Sequence, residues 1–161
     1  MSFLKLNPGS NYVRIVTQPY QYHAHSKYVV KGEPHYGQKL KCAAMPDPTL
    51  MLCKPCNDGE RFHARWILGV ISRKDSAFHY LDIGFEIFGQ IRNLVRTPLW
   101  GEPKDYDVDF LINDYDKVQI IPQEKINLNA AEVILVDHID LEEMKRLTEF
   151  ATSQPPYIEK I

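Results

Sequence analysis

A chain of 161 residues, 44% of them hydrophobic, has the length and apolar content of one globular domain. Its formal charge of -2 hides a division: residues 1–75 hold 11 Lys and Arg against 5 Asp and Glu, and residues 76–161 hold 8 against 16. No apolar run approaches the roughly 18 residues that cross a bilayer, and Met1-Ser2-Phe3-Leu4-Lys5 opens no apolar leader, so the expectation is a cytoplasmic protein with no membrane span and no disulfide framework.

In chain order, Asn7-Pro8-Gly9-Ser10 signals a turn. Residues 11–25 alternate around Val13, Ile15, Tyr20 and Tyr22 and predict strand with a break at Pro19. Lys31-Gly32 and residues 34–37 turn the chain, and residues 38–42 return as a short strand. Residues 43–60 contain Pro46, Pro48 and Pro55 with little periodicity, a loop that needs a staple. Residues 61–73 and 77–83 predict strands joined at Lys74-Asp75-Ser76. Ile87, Phe88, Ile91, Leu94 and Val95 fall on one face of a helix over 85–95, which Thr97-Pro98 ends. Residues 105–113 alternate sharply, with Asp105, Asp107 and Asp109 expected on a solvated face. Asp114-Tyr115-Asp116 turns into a strand over 117–121, and Asp140 with Glu143 forms a capping box for a C-terminal helix over 140–153. About five strands with a helix after the third or fourth fit a mainly β chain, a small five-stranded Greek-key barrel of the OB-fold type.

The three cysteines, Cys42, Cys53 and Cys56, are spaced C-x10-C-x2-C, with His23, His25 and His35 upstream. A C-x2-C pair clamps a metal from one turn, and a third thiolate with one imidazole completes a tetrahedral site of the closed, structural kind. One structural Zn2+ is therefore expected. Basic residues then interleave with aromatics. Lys39, Lys41, Arg61, Arg65, Arg73 and Lys74 are candidates for phosphate contact, and Tyr22 and Tyr80 for stacking in a wet cleft, while Trp66 suits the core.

An ordered series of motifs resembles the bacteriophage single-stranded-DNA-binding proteins of the gene 32 type. It comprises Lys39-Leu40-Lys41-Cys42, Cys53-Lys54-Pro55-Cys56, the strand from Arg65 to Arg73, Phe78 to Gly84, Phe85-Glu86-Ile87-Phe88-Gly89-Gln90-Ile91, and Gly101 to Asp107. The resemblance covers roughly residues 10–122. It implies a single OB-fold domain over 1–161 with a zinc-binding insertion over 26–60. The implied metal ligands are Cys42, Cys53, Cys56 and one upstream histidine, His25 by preference, with His35 and His23 open. It further implies sequence-independent binding of single-stranded DNA in replication, recombination and repair, without catalysis and alongside replication or recombination proteins. No basic arm or long acidic tail flanks the matching motifs, so cooperative filaments are not part of the expectation. The alternatives are a zinc-stapled OB module that binds another protein in a phage transcription or assembly complex, and an RNA binder. Catalysis is not expected: there is no H-E-x-x-H helix, no His-x-Glu upstream of the C-x2-C pair and no phosphate-cradling glycine loop.

Overall fold

A computed structural model describes residues 3–25, 40–41, 63–115 and 117–148. Among them the chain is mainly β, with antiparallel strands β1 (Tyr12–Ile15), β2 (Tyr20–His25), β3 (Leu40–Lys41), β4 (His63–Ser72), β5 (Ala77–Ile83), β6 (Tyr106–Ile112) and β7 (Val118–Lys125). Three α-helices accompany them: α1 (Phe85–Arg96), α2 (Ala130–Asp137) and α3 (Leu141–Thr148). The chain divides into two compact units, Met1–Pro19 with Trp66–Asp140, and Tyr20–Arg65 with Leu141–Ile161.

In the first unit the strands lie in the order β5-β4-β1-β6-β7. Registers Val13↔Ser72, Ile15↔Val70, Trp66↔Ile83, Leu68↔Leu81 and Val13↔Val108 set one face of this sheet. With a side-chain period of two, Tyr106 and Phe110 join that face. All of its large apolar members are buried, Val70 and Phe110 fully so. Burying each such side chain is worth about 1.5–3 kcal/mol, so this face is the core. The helix α1 lies against β7 and contributes Ile91. Gln90 of α1 donates from Nε2 to the Val118 carbonyl (2.9 Å) and accepts the Ile120 amide at Oε1 (2.8 Å). A helical side chain thus takes the place of a neighbouring strand along β7, which keeps that stretch of backbone from offering itself to another chain.

The opposite face departs from simple alternation. Arg14, Ile67, Ile71, Tyr80 and Asp109 are also buried, so β4 is enclosed on both sides from Trp66 to Ser72. Chain segments outside the sheet cover it. Thr17 crosses Gly69, accepting its amide at Oγ1 (2.7 Å). A Cβ added at Gly69 would meet Thr17 Cγ2 at 2.6 Å and the Phe78 ring at 2.8 Å, so only glycine fits. Phe3 packs on Tyr80 at 5.7 Å between ring centroids, and the Leu4 amide donates to the Tyr80 carbonyl.

Asp109 was expected in solvent and is instead 4% exposed. Its carboxylate accepts the Ser10 hydroxyl (2.8 Å) and the Asn11 amide (2.9 Å), which pins the predicted turn before β1. The Asn11 side chain donates to the carbonyls of Asn7 and Phe110 and closes the same turn.

Elements expected over 77–83 and 85–95 appear almost residue for residue. The strand expected over 11–25 with a break at Pro19 is β1 and β2, the second starting directly after Pro19. The helix expected after the third or fourth strand follows the fifth in chain order, because β2 and β3 belong to the second unit. Helix α2 was not foreseen. Asn129 and Glu132 form its capping box, the Asn129 side chain accepting the Glu132 amide (2.9 Å) and the Glu132 carboxylate accepting the Asn129 amide (3.0 Å). In the second unit β2 pairs with β3, and α3 lies against β2 with Met144 fully buried.

Candidate nucleic-acid interface and metal cluster

The cysteine cluster lies outside the described residues, as do Lys39, Arg61 and His35. Of His25 and Lys41 the structure gives only the backbone: His25 sits opposite Leu40 and Ala24 opposite Lys41 in the β2–β3 pair. The chain that leads into Cys42 therefore pairs with the strand that carries His23 and His25. Tyr22 and Ala24 are buried on one side of β2, and His23 alternates to the other. Burial lowers the His23 pKa, which favours the neutral imidazole. Among the described residues no group of three His, Cys, Asp or Glu side chains is placed to hold a metal.

Of the expected contact residues, Tyr22, Lys39, Lys41, Arg61 and Arg65 belong to the second unit, and Arg73, Lys74 and Tyr80 to the first. Arg65 is half-buried and His63 exposed at the start of β4. Lys74 is exposed in the turn between β4 and β5, where Asp75 accepts from His79 at 2.7 Å and the Ala77 amide at 3.1 Å. That hydrogen bond to His79, with the Ala77 amide next, holds the Asp75 carboxyl below its usual range. Ser76 closes the turn at φ 56, a left-handed conformation.

The two tyrosines do not have the wet environment expected of them. Tyr22 is 7% and Tyr80 1% exposed, so in this structure neither ring offers a face to solvent. Tyr80 is enclosed by Phe3 and, edge-on at 5.4 Å, by Phe78. Trp66 is buried as expected, stacked on Phe88 of α1 at 4.0 Å with the rings 1° from parallel.

Arg73 is committed to protein partners. Its Nε donates to Asp107 Oδ2 (2.8 Å), one terminal nitrogen donates to Asp107 Oδ1 (2.9 Å), and the other to Glu132. These bonds, Asp107 first, raise its pKa above the ordinary arginine value. Arg14, 1% exposed, donates from Nε to Asp107 Oδ1 (2.7 Å) and from a terminal nitrogen to the Lys104 carbonyl (3.0 Å). Burial pushes the Asp107 carboxyl up, but the hydrogen bonds from Arg73 and Arg14 outweigh it and leave the pKa below the carboxylate range. Asp107, expected in solvent, is thus the centre of a charge network that joins β1, the turn after β4, β6 and α2. Glu132 both caps α2 and anchors it to the turn after β4 through Arg73.

Sequence reading also overlooked the outward side of α1. There Phe85 is 68% exposed, and Arg92 holds its guanidinium carbon 5.9 Å from the Phe88 ring centroid. The signal was present in the same period that gave the inner face. No helix among the described residues is long and apolar enough to cross a membrane. No family model, curated protein or solved structure matches this chain.

Proposed function

We propose that this chain binds single-stranded DNA without sequence preference and without catalysis, through an OB-type barrel that carries a zinc-stapled insertion. The observation that carries the reading is connectivity. The first strand of the first unit lies between the second and the fourth, and a helix joins the third to the fourth, as in an OB barrel. In such barrels the face of the second and third strands and the loops after the first and fourth bind oligonucleotides. Those strands are β4 and β5 here, and β4 is enclosed on both sides from Trp66 to Ser72, so the reading rests on the loops: the connection between β1 and β4 contains all three cysteines. The basic excess of residues 1–75 supports the same assignment.

Lys39, Lys41, Arg61, Arg65 and Lys74 are the proposed phosphate contacts. Arg73, saturated by carboxylates, acts as a structural pin. Cys42, Cys53 and Cys56 with His25 are the proposed zinc ligands; His25 is favoured by the β2–β3 pairing that brings its strand against the approach to Cys42. The zinc would fix the segment that carries Lys39 and Lys41.

Fluorescence anisotropy with labelled oligonucleotides tests the reading. Single strands should bind well above duplex, with affinity falling as salt rises because counterions are released. Absence of binding to poly(dT) at low salt refutes it. Metal analysis should find one zinc per chain, with chelation abolishing affinity. Zinc kept by His25→Ala and lost from His35→Ala would overturn the ligand choice.

A second reading, a module for another protein, is favoured by α2. That helix buries Glu132 and leaves Val133 (43%) and Ile134 (59%) exposed, as is Ile126 (62%) before the helix. Capture of a specific protein partner that Ile134→Asp abolishes, in a chain without oligonucleotide affinity, would select it.

A further inference from the structure

We propose that the outer stripe of α1, formed by Phe85, Gly89, Arg92 and Arg96, is a second contact track for single-stranded nucleic acid. The proposal rests on the single-strand reading above. Positions 85, 89, 92 and 96 are spaced i, i+4, i+7 and i+11, which places them on one side of the helix. Ile91, buried at 7%, marks the opposite side.

Each member of the stripe has a property that packing does not explain. Phe85 leaves two-thirds of its surface in water, yet its ring is not isolated: the centroid lies 6.3 Å from that of Trp66, itself stacked on Phe88. The exposed ring is thus backed by a fixed aromatic pair. Such a platform can take a base on its open side with little ordering cost. Arg92 and Arg96 are exposed and have no ion pair among the described residues, although residues 76–161 hold 16 acids against 8 bases. The only acid on the helix is Glu86, off the stripe. Arg92 also sits against the Phe88 ring, which holds a cation beside the platform.

Gly89 is the most telling of the four. It is half-buried in the helix interior, where a glycine costs roughly 0.5–1 kcal/mol relative to alanine. Here a Cβ would meet nothing within 4 Å, and the backbone has no left-handed angle. Neither the fold nor a neighbour requires glycine. Close approach of a ligand to the helix backbone does.

From Phe85 to Arg96 the stripe spans about 16 Å at 1.5 Å per residue. It offers a ring at one end, bare backbone in the middle and two guanidinium groups at the other. A flexible polynucleotide matches that sequence of surfaces, with a base on the ring and phosphates on the arginines. An acidic peptide would satisfy the arginines alone.

The test is a salt titration of dT-oligonucleotide binding with the full chain. Arg92→Gln/Arg96→Gln should lower the slope of log affinity against log salt by about 1.4, at about 0.7 per single-strand phosphate contact. Phe85→Ala should weaken binding about 5- to 150-fold, the value of one base–aromatic stack. Lys104→Gln/Lys125→Gln removes the same charge from exposed positions off the stripe and outside the proposed binding loops, and should leave the slope within about 0.5 of the parent, on the same scale. Thermal melting establishes that each variant is folded. If the parent binds and the arginine variant keeps its slope, or the lysine variant loses as much, the track is refuted while the function stands. If the parent does not bind, both fall. Binding of poly-glutamate that depends on Arg92 and Arg96 but not on Phe85 would assign the stripe to an acidic protein and overturn the proposal.

Discussion

Asp107→Asn isolates the charge network with the least change of shape. Asp107 accepts from Arg14 at 2.7 Å and from Arg73 at 2.8 and 2.9 Å. The amide keeps one acceptor oxygen and turns its NH2 group toward guanidinium donors. Arg14, 1% exposed, is then a buried cation without a counter-charge. Breaking a buried pair on one side costs about 3–5 kcal/mol. Asp107 is itself 24% exposed, so solvent screening places the loss at the lower end. At about 2–4 °C per kcal/mol for a chain of this size, a loss of about 3 kcal/mol lowers Tm by about 6–12 °C at pH 7. The acid dependence has a definite sign. Because the folded carboxyl is depressed, its contribution is complete above the unfolded value of about 3.9 and fades as pH falls through the lower folded value. Circular-dichroism melting of parent and variant from pH 7 into acid should therefore show the gap narrowing below about pH 4. A Tm loss below about 2 °C at pH 7, or a gap unchanged into acid, refutes the assignment. Arg14→Met/Asp107→Leu, which removes both members of the pair, should recover part of the loss.

Gly69→Ala should destabilise by about 1–3 kcal/mol in urea unfolding, because the new methyl overlaps Thr17 and Phe78; a neutral result would mean that the crossing segment yields freely. Ser76→Gly should raise stability by about 0.5–1 kcal/mol by relieving the left-handed angle of a non-glycine residue, and a lower Tm would count against strain there. Gln90→Leu should cost about 1–3 kcal/mol by stripping two hydrogen bonds from β7, with faster amide exchange at Ile120. Unchanged exchange there would show that α1 does not guard that strand.

Turn chemistry and period made β5 and α1 legible, since Lys74-Asp75-Ser76 and Gly84 bracket a clean change from alternation to helical spacing. Alternation could say which side of a strand Arg14, Asp107 and Asp109 take, but not what lies on that side. Their partners are 90 or more residues away in sequence for Arg14 and Asp109, so a polar face read as solvated is instead a layer of ion pairs and hydrogen bonds. Helix α2 escaped for a related reason. Its apolar residues form no stripe, because the side chain it buries is Glu132. The signal Asn129-x-x-Glu132 was available and is of the same kind as Asp140 with Glu143. Tyr22 and Tyr80 were assigned to a cleft because a phenol tolerates water, yet nothing in a tyrosine's neighbours along the chain reveals that Phe3, 77 residues upstream of Tyr80, will cover it. On α1 attention to the apolar side hid the chemistry of the exposed one.

The crossing of Thr17 over Gly69 ties two positions 52 residues apart into one allowed combination. Related chains that keep this crossing should change the two sites together. A larger residue at 69 demands a smaller one at 17, and loss of the hydroxyl leaves an amide in the middle of β4 to be satisfied by some other group. A paired substitution pattern at these positions would therefore identify the crossing in distant sequences where strand patterns alone have faded.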